Sequence, residues 1–187
     1  SYLPLLSLAP DKKDIIPCRL WQGFTPKGMM MNELNAWSYT NETAIIEHIL
    51  ARYHQVHRYQ LQDLLSLAEK VSSVHADVFP AEILPLLRQT QQELLSHMQK
   101  EERVLFPMIL NGAGIQASMP IQVMRHEHDE HQQTLARFRE LTQDFVAPAD
   151  ACASWQRLYA ELATFCNDLR DHIVLENEVL FPRVLSS

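Results

Sequence analysis

The chain has 187 residues and a formal net charge of −7, from 16 Lys+Arg against 23 Asp+Glu. That balance excludes nucleic acid as a main partner, because phosphate recognition needs a basic patch and none is visible. With 47% hydrophobic residues there is material for a core, and four glycines in the whole chain are too few for the turns of an ordinary β or α/β domain, so an all-α fold is expected.

Residues 1–40 stand apart as an irregular N-terminal arm. They hold Pro4, Pro10, Pro17 and Pro26 with Gly23 and Gly28, and no sustained apolar period. The opening apolar run is broken by proline, lacks a basic leader, and is too short to span a membrane. Nothing later approaches 18 consecutive apolar residues, so no membrane partner is expected. Cys18, Cys152 and Cys166 form no CxxC pair, and the simplest compartment is a reduced cytoplasm. The run Met29–Met31 reads as flexible apolar packing in preference to a thioether site.

Residues 41–187 form the second unit, with four helices expected. The first opens after Thr40-Asn41 and runs to about Ser73, with Ile46, Ile49, Tyr53, His57, Leu61, Leu64, Ala68 and Val71 on one stripe. The second is expected from about Pro80 to Phe106, carrying Ile83, Leu87, Leu94, His97, Glu101, Val104 and Leu105. A loop at Asn111–Gly114 precedes the third, from Ser118 to about Phe145. Pro148 punctuates the last boundary, and the fourth helix runs to about Phe181. Short connections between four long helices predict an up-down-up-down four-helix bundle.

The polar residues on these stripes repeat. His97-Met-Gln-Lys-Glu101 leads to Leu105-Phe106-Pro107, and His172-Ile-Val-Leu-Glu176 leads to Leu180-Phe181-Pro182, the same H-x-x-x-E-x-x-x-L-F-P phrase 75 residues on. His54-x-x-His57 with Leu61 is matched by His128-x-x-His131 with Leu135, 74 residues on. Two helix-pair halves related by a pseudo-twofold account for both echoes.

Burying an isolated His or Glu in an apolar bundle costs several kcal/mol unless it is paired or metal-bound. Six side chains are therefore expected to converge as metal ligands: His54, His97, Glu101, His128, His172 and Glu176. Structural zinc favours Cys and needs no bridging carboxylate, and calcium and magnesium take oxygen. Four imidazoles with two carboxylates suit two iron ions, bridged by the carboxylates and by a solvent-derived oxo or hydroxo group. Each ion then keeps about one open position for O2, NO or water. Other metal motifs fail on spacing: HExxH would need His at 130, where Glu stands, and no Glu-x-x-His of the ferritin type occurs.

Around these six, His57 and His131 read as outer partners, alternative ligands or bundle residues. Glu93 and Glu127 can orient a histidine or simply face water, and Tyr53 can donate to the cluster or pack. His48, His75 and His126 fall off the ligand face, and the charges between Lys100 and Arg103 read as a solvated helix face.

With these residues identified, the sequence resembles the hemerythrin-like proteins, and more closely the Repair of Iron Centres family, over residues 33–185. The segments ARYHQVHR, HMQKEERVLFPMI, VMRHEHDEH and DHIVLENEVLFPR carry the resemblance. Its four His and two Glu ligands fall on the six residues above. It implies a cytoplasmic protein of the nitrosative and oxidative stress response that helps repair damaged iron–sulfur clusters, supplying iron and reacting with NO at a di-iron centre. Damaged iron–sulfur proteins are the implied clients, and NO and O2 the small ligands. Oxygen-carrying hemerythrins use a fifth His and an Asp, which speaks against reversible O2 carriage here. An O2/NO binding or sensing module, or a di-iron NO or peroxide reductase, is the alternative. The vicinal Cys-Cys pair usual in that family's N-terminal domain has no counterpart in residues 1–32, which hold Cys18 alone.

Overall fold

Asn41 sets the start of the first long helix: its side chain accepts the Ala44 N–H at 2.9 Å. The computed structural model describes residues 34–187, and the expectations for residues 1–33, Met29–Met31 and Cys18 among them, lie outside these. Helix α1 comprises Glu42–His48, a π-helical turn over Ile49–His54, and Gln55–Val74. Helix α2 comprises Ile83–Lys100, π-helical Glu101–Leu105, and Phe106–Leu110. A 3-10 turn, Gly114–Ala117, leads into α3, Ser118–Leu141. Helix α4 comprises Ala153–Leu175, π-helical Glu176–Leu180, and Phe181–Ser186. Among the described residues there is no strand.

Helix α1 packs against α2 and α4, α2 against α3, and α3 against α4, which closes the expected all-α bundle. No helix among the described residues is long and apolar enough to cross a membrane. Three helix C-terminal ends differ from the sequence reading, one of them that of α4, which runs past Phe181 to Ser186 with Pro182 in the first turn of its last segment. Helix α2 continues past Phe106 to Leu110, because Pro107 falls where a new α-helical turn begins and its missing N–H is tolerated. Helix α3 stops at Leu141 and not near Phe145: Gln143, Asp144 and Phe145 have φ of 50°, 60° and 63°, a left-handed turn that no right-handed helix can absorb. Thr142 stabilises that turn, donating to the Phe138 carbonyl at 2.7 Å and accepting the Phe145 N–H at 2.9 Å.

The apolar interior is in two parts. One gathers Leu61, Leu64, Leu87, Leu94, Phe138, Leu158, Leu162 and Phe165; the other gathers Ile45, Ile49, Phe106, Ile121, Met124, Leu180 and Phe181. Along every helix the polar repeat lies between the two. At the second core's end, Leu34 and Trp37 pack inward, and the Arg183 guanidinium donates to the Trp37 and Ser38 carbonyls at 3.2 and 2.8 Å and to that of Thr40.

Candidate metal centre

Two of the repeated phrases end in a widened helix. The N–H of Phe106 reaches back five residues to the Glu101 carbonyl, and that of Phe181 to Glu176. Pro107 and Pro182 follow directly and have no N–H to give to the carbonyls of Arg103 and Glu178, four residues back. The α-helical ladder is thus interrupted just after each glutamate, a placement typical of π-bulges at functional sites. In α1 the same widening precedes His54, where Gln55 N–H bonds to the Leu50 carbonyl with no proline involved.

The bundle brings all six expected residues to one buried layer. Glu101 lies between His54 and His97, with Oε2 3.2 Å from His54 Nε2 and Oε1 3.3 Å from His97 Nε2. Glu176 lies likewise between His128 and His172, at 3.1 and 3.2 Å from their Nε2 atoms. Ligand atoms of His54, Glu101, His172 and Glu176 lie within 4.8 Å of one another, and so do those of His97, Glu101, His128 and Glu176. Both carboxylates belong to both groups.

The outer nitrogens of three rings are already committed. His54 Nδ1–H donates to Glu102 at 2.8 Å, His97 Nδ1–H to Glu127 at 2.9 Å, and His128 Nδ1–H to the Asn177 side-chain oxygen at 2.9 Å. Arg58 holds Glu102 at 2.7 Å and Lys100 pairs with Glu127. The Nε2 atoms are therefore left facing the carboxylates and, between His97 and His128, each other. Both Glu101 oxygens, Glu176 Oε2 and His54 Nε2 are buried without a hydrogen-bond partner among the described residues. Orphaned acceptors of this kind, ringed by imidazole lone pairs, fit a cation.

Without a cation the layer takes protons instead. Burial opposes a charged imidazole, yet the neighbouring Glu101, with Glu102 or Glu127 behind, raises His54 to about 8 and His97 to about 10. Burial and the Glu176 charge resist ionisation of Glu101, but His97 and His54 hold its carboxyl down to about 2. Burial, then the cationic neighbours, pushes His172 well down. Metal uptake at such a site displaces protons.

The remaining candidates separate cleanly. His57 and His131 are buried beside the layer but outside both ligand groups, and burial lowers them to about 3 and about 4. His57 donates to Gln60 at 3.0 Å, Gln60 to Asp168 at 2.7 Å, and Asp168 accepts from Arg52 at 2.7 Å. Tyr53 lies flat against the His172 ring, centroids 5.1 Å apart. Glu127 orients His97, whereas Glu93 is exposed and accepts from Gln89. His48 lies tilted against Trp37 and edge-on to Tyr53, His75 contacts Cys152 at 3.2 Å, and His126 faces Glu130 at 3.7 Å, all outside both ligand groups. The charges between Lys100 and Arg103 are not a uniformly solvated face: Glu102 turns to His54. Glu102, Asn177 and Gln60 were not singled out by periodicity. Glu102 and Asn177 had one available signal, since each directly follows a repeated glutamate.

Comparison with known proteins agrees with this geometry. The model of the hemerythrin HHE cation binding domain matches residues 45–184. The iron-sulfur cluster repair protein DnrN of Neisseria gonorrhoeae is 55% identical over 157 residues, covering 84% of this chain and all of that protein. A Haemophilus influenzae protein named "Probable iron-sulfur cluster repair protein" is 41% identical over 97% of this chain and 83% of its own length. The iron-sulfur cluster repair protein YtfE of Dickeya chrysanthemi is 45% identical over 80% of this chain and 68% of its own length.

Proposed function

The chain belongs to the hemerythrin HHE cation-binding family, and from that premise we propose that it is a di-iron protein that helps repair damaged iron–sulfur clusters. His54, His97, Glu101, His128, His172 and Glu176 would hold the two irons, with Glu101 and Glu176 offering an oxygen to each group. The observation that carries this reading is the membership of Glu101 and Glu176 in both groups of converging ligand atoms. Three relatives carry names that specify cluster repair, and the working compartment is the cytoplasm, where damaged iron–sulfur proteins are the clients.

The chain's own contribution is orientation and dryness. Glu102, Glu127 and Asn177 fix three imidazoles with Nε2 turned inward. Phe106 stacks on His54 at 5.7 Å and Phe181 on His128 at 5.8 Å, closing the layer on the side of the second core. Iron bound there supplies redox and ligand-exchange chemistry towards NO and O2, and metal that can be passed to a damaged cluster.

The test is reactivation of a [4Fe–4S] enzyme inactivated by NO, with iron-loaded protein, metal-free protein and free iron at equal iron concentration. Recovery with the loaded protein alone is expected. Reversible NO or O2 uptake without any recovery would replace repair by the binding or sensing role.

A further inference from the structure

The two sides of the centre are not equally supported. On one side, His97 Nδ1–H donates to Glu127 at 2.9 Å, with Lys100 behind, and His128 Nδ1–H donates to Asn177 at 2.9 Å. On the other, His54 Nδ1–H donates to Glu102 at 2.8 Å. His172 completes that side, fully buried, and its Nδ1 has no hydrogen-bond partner among the described residues. The repeat locates the difference in one position. Tyr53 precedes His54 as Glu127 precedes His128, 74 residues on. Glu127 accepts from the histidine of the neighbouring helix. Tyr53 instead lays its ring against the corresponding histidine, planes 5° from parallel.

A ligating imidazole is held and made more basic by an acceptor on its second nitrogen, and loss of that acceptor typically weakens metal binding about 10- to 100-fold. Three of the four imidazoles have one. We infer that the centre is asymmetric in lability: the ion held by His54 and His172 leaves first, because Tyr53 gives His172 a stacking face in place of an acceptor. Glu127 and Asn177 lock the ion of His97 and His128. Tyr53 and Glu127 are positioning residues, one on each side. This rests on the two-ion reading above and adds to it a division of labour, with one ion available for transfer and one retained.

The experiment follows iron release from the fully loaded, full-length protein into an excess of a ferrous-specific bipyridyl chelator. Two phases of one iron each are expected, with rates differing about 10-fold or more. Tyr53→Glu, which supplies the missing acceptor, slows the fast phase towards the slow one. Glu127→Tyr accelerates the slow phase so that both irons leave together. His172→Ala retains one iron, released at the slow wild-type rate, which identifies the side and does not depend on the Tyr53 variant folding. A single release phase for both irons in the wild-type protein overturns this inference and leaves the di-iron reading standing. Release of the retained iron of His172→Ala at the fast rate assigns the phases the other way and also overturns it. Uptake of fewer than two irons per wild-type chain overturns both.

Discussion

The Nε2 atoms of His97 and His128 face one another at 3.1 Å in the buried layer. Each ring has its other nitrogen on an acceptor from a different helix, so neither can turn away without breaking that bond. Two inward imidazole nitrogens with two carboxylates behind them define half of a metal centre before any ion is considered. The other half sets His54 and His172 against the same two carboxylates, but of these two rings only His54 has an acceptor behind it among the described residues.

The shared carboxylates give the sharpest test of the ligand set. Glu101→Ala and Glu176→Ala each remove an oxygen donor common to both groups, and iron content is expected to fall well below two per chain. His48→Ala and His75→Ala lie outside both ligand groups and are expected to keep two. Metal analysis with the optical spectrum of the oxidised protein decides it; two irons retained in Glu101→Ala would disprove the bridging assignment.

The acceptors behind the rings should matter almost as much as the ligands. Glu102→Ala removes the partner of His54, and Asn177→Ala that of His128. Iron affinity is expected to drop about 10- to 100-fold in each, with helix content unchanged by circular dichroism. Glu93→Ala, whose exposed side chain accepts from Gln89, is the control and should bind iron normally.

The prolines that close the π-helical turns set function against stability. In Pro107→Ala, residue 107 regains an N–H that can reach the Arg103 carbonyl, favouring ordinary α-helix over Glu101–Leu105. The metal-free protein should melt higher, while iron affinity falls because Glu101 is drawn out of register. Calorimetry of the metal-free variant beside an iron titration tests both. A variant that gains neither stability nor loses affinity would mean the turn is held by packing alone.

Arg183 ties the segment before α1 to the last turn of α4 through three backbone carbonyls. Arg183→Ala leaves these acceptors to water and is expected to cost about 1.5–3 kcal/mol for charged hydrogen bonds. Limited proteolysis should then cut first near residues 34–40, and an unchanged digestion pattern would show that Leu34 and Trp37 anchor the segment unaided.

Much of this was legible before any coordinates. The helices follow from apolar residues three and four apart, and the ligand layer from His and Glu that break that stripe twice at the same spacing. The π-helical turns were not legible from periodicity, because a single widened turn leaves His97 and Glu101 four apart as in any α-helix; the trace was Pro107 and Pro182, each six residues past a glutamate. Glu102 and Asn177 escaped for a geometric reason. Each sits one residue beyond the inward face, about 100° round the helix, where a polar side chain is expected to meet water. Instead each meets a histidine of the adjoining helix, a contact set by bundle packing and invisible along one strand of sequence. Glu127 and Glu93 are both legible as candidates to orient a histidine, and bundle packing decides between them; the early end of α3 depends on the left-handed run at 143–145, for which Phe145 gives no warning.

The division of the interior into two apolar parts has a consequence for how the molecule holds together. The polar layer crosses all four helices at one level, so hydrophobic cohesion is interrupted there and each part can loosen without dragging the other along. The layer is a seam. Metal-free, it is held by imidazole–carboxylate pairs; metal-bound, it is riveted, and the binding energy becomes mechanical unity across the seam. Surrender of one ion would then slacken the joint without opening it, and surrender of both would leave two half-bundles flexing about a common polar plane.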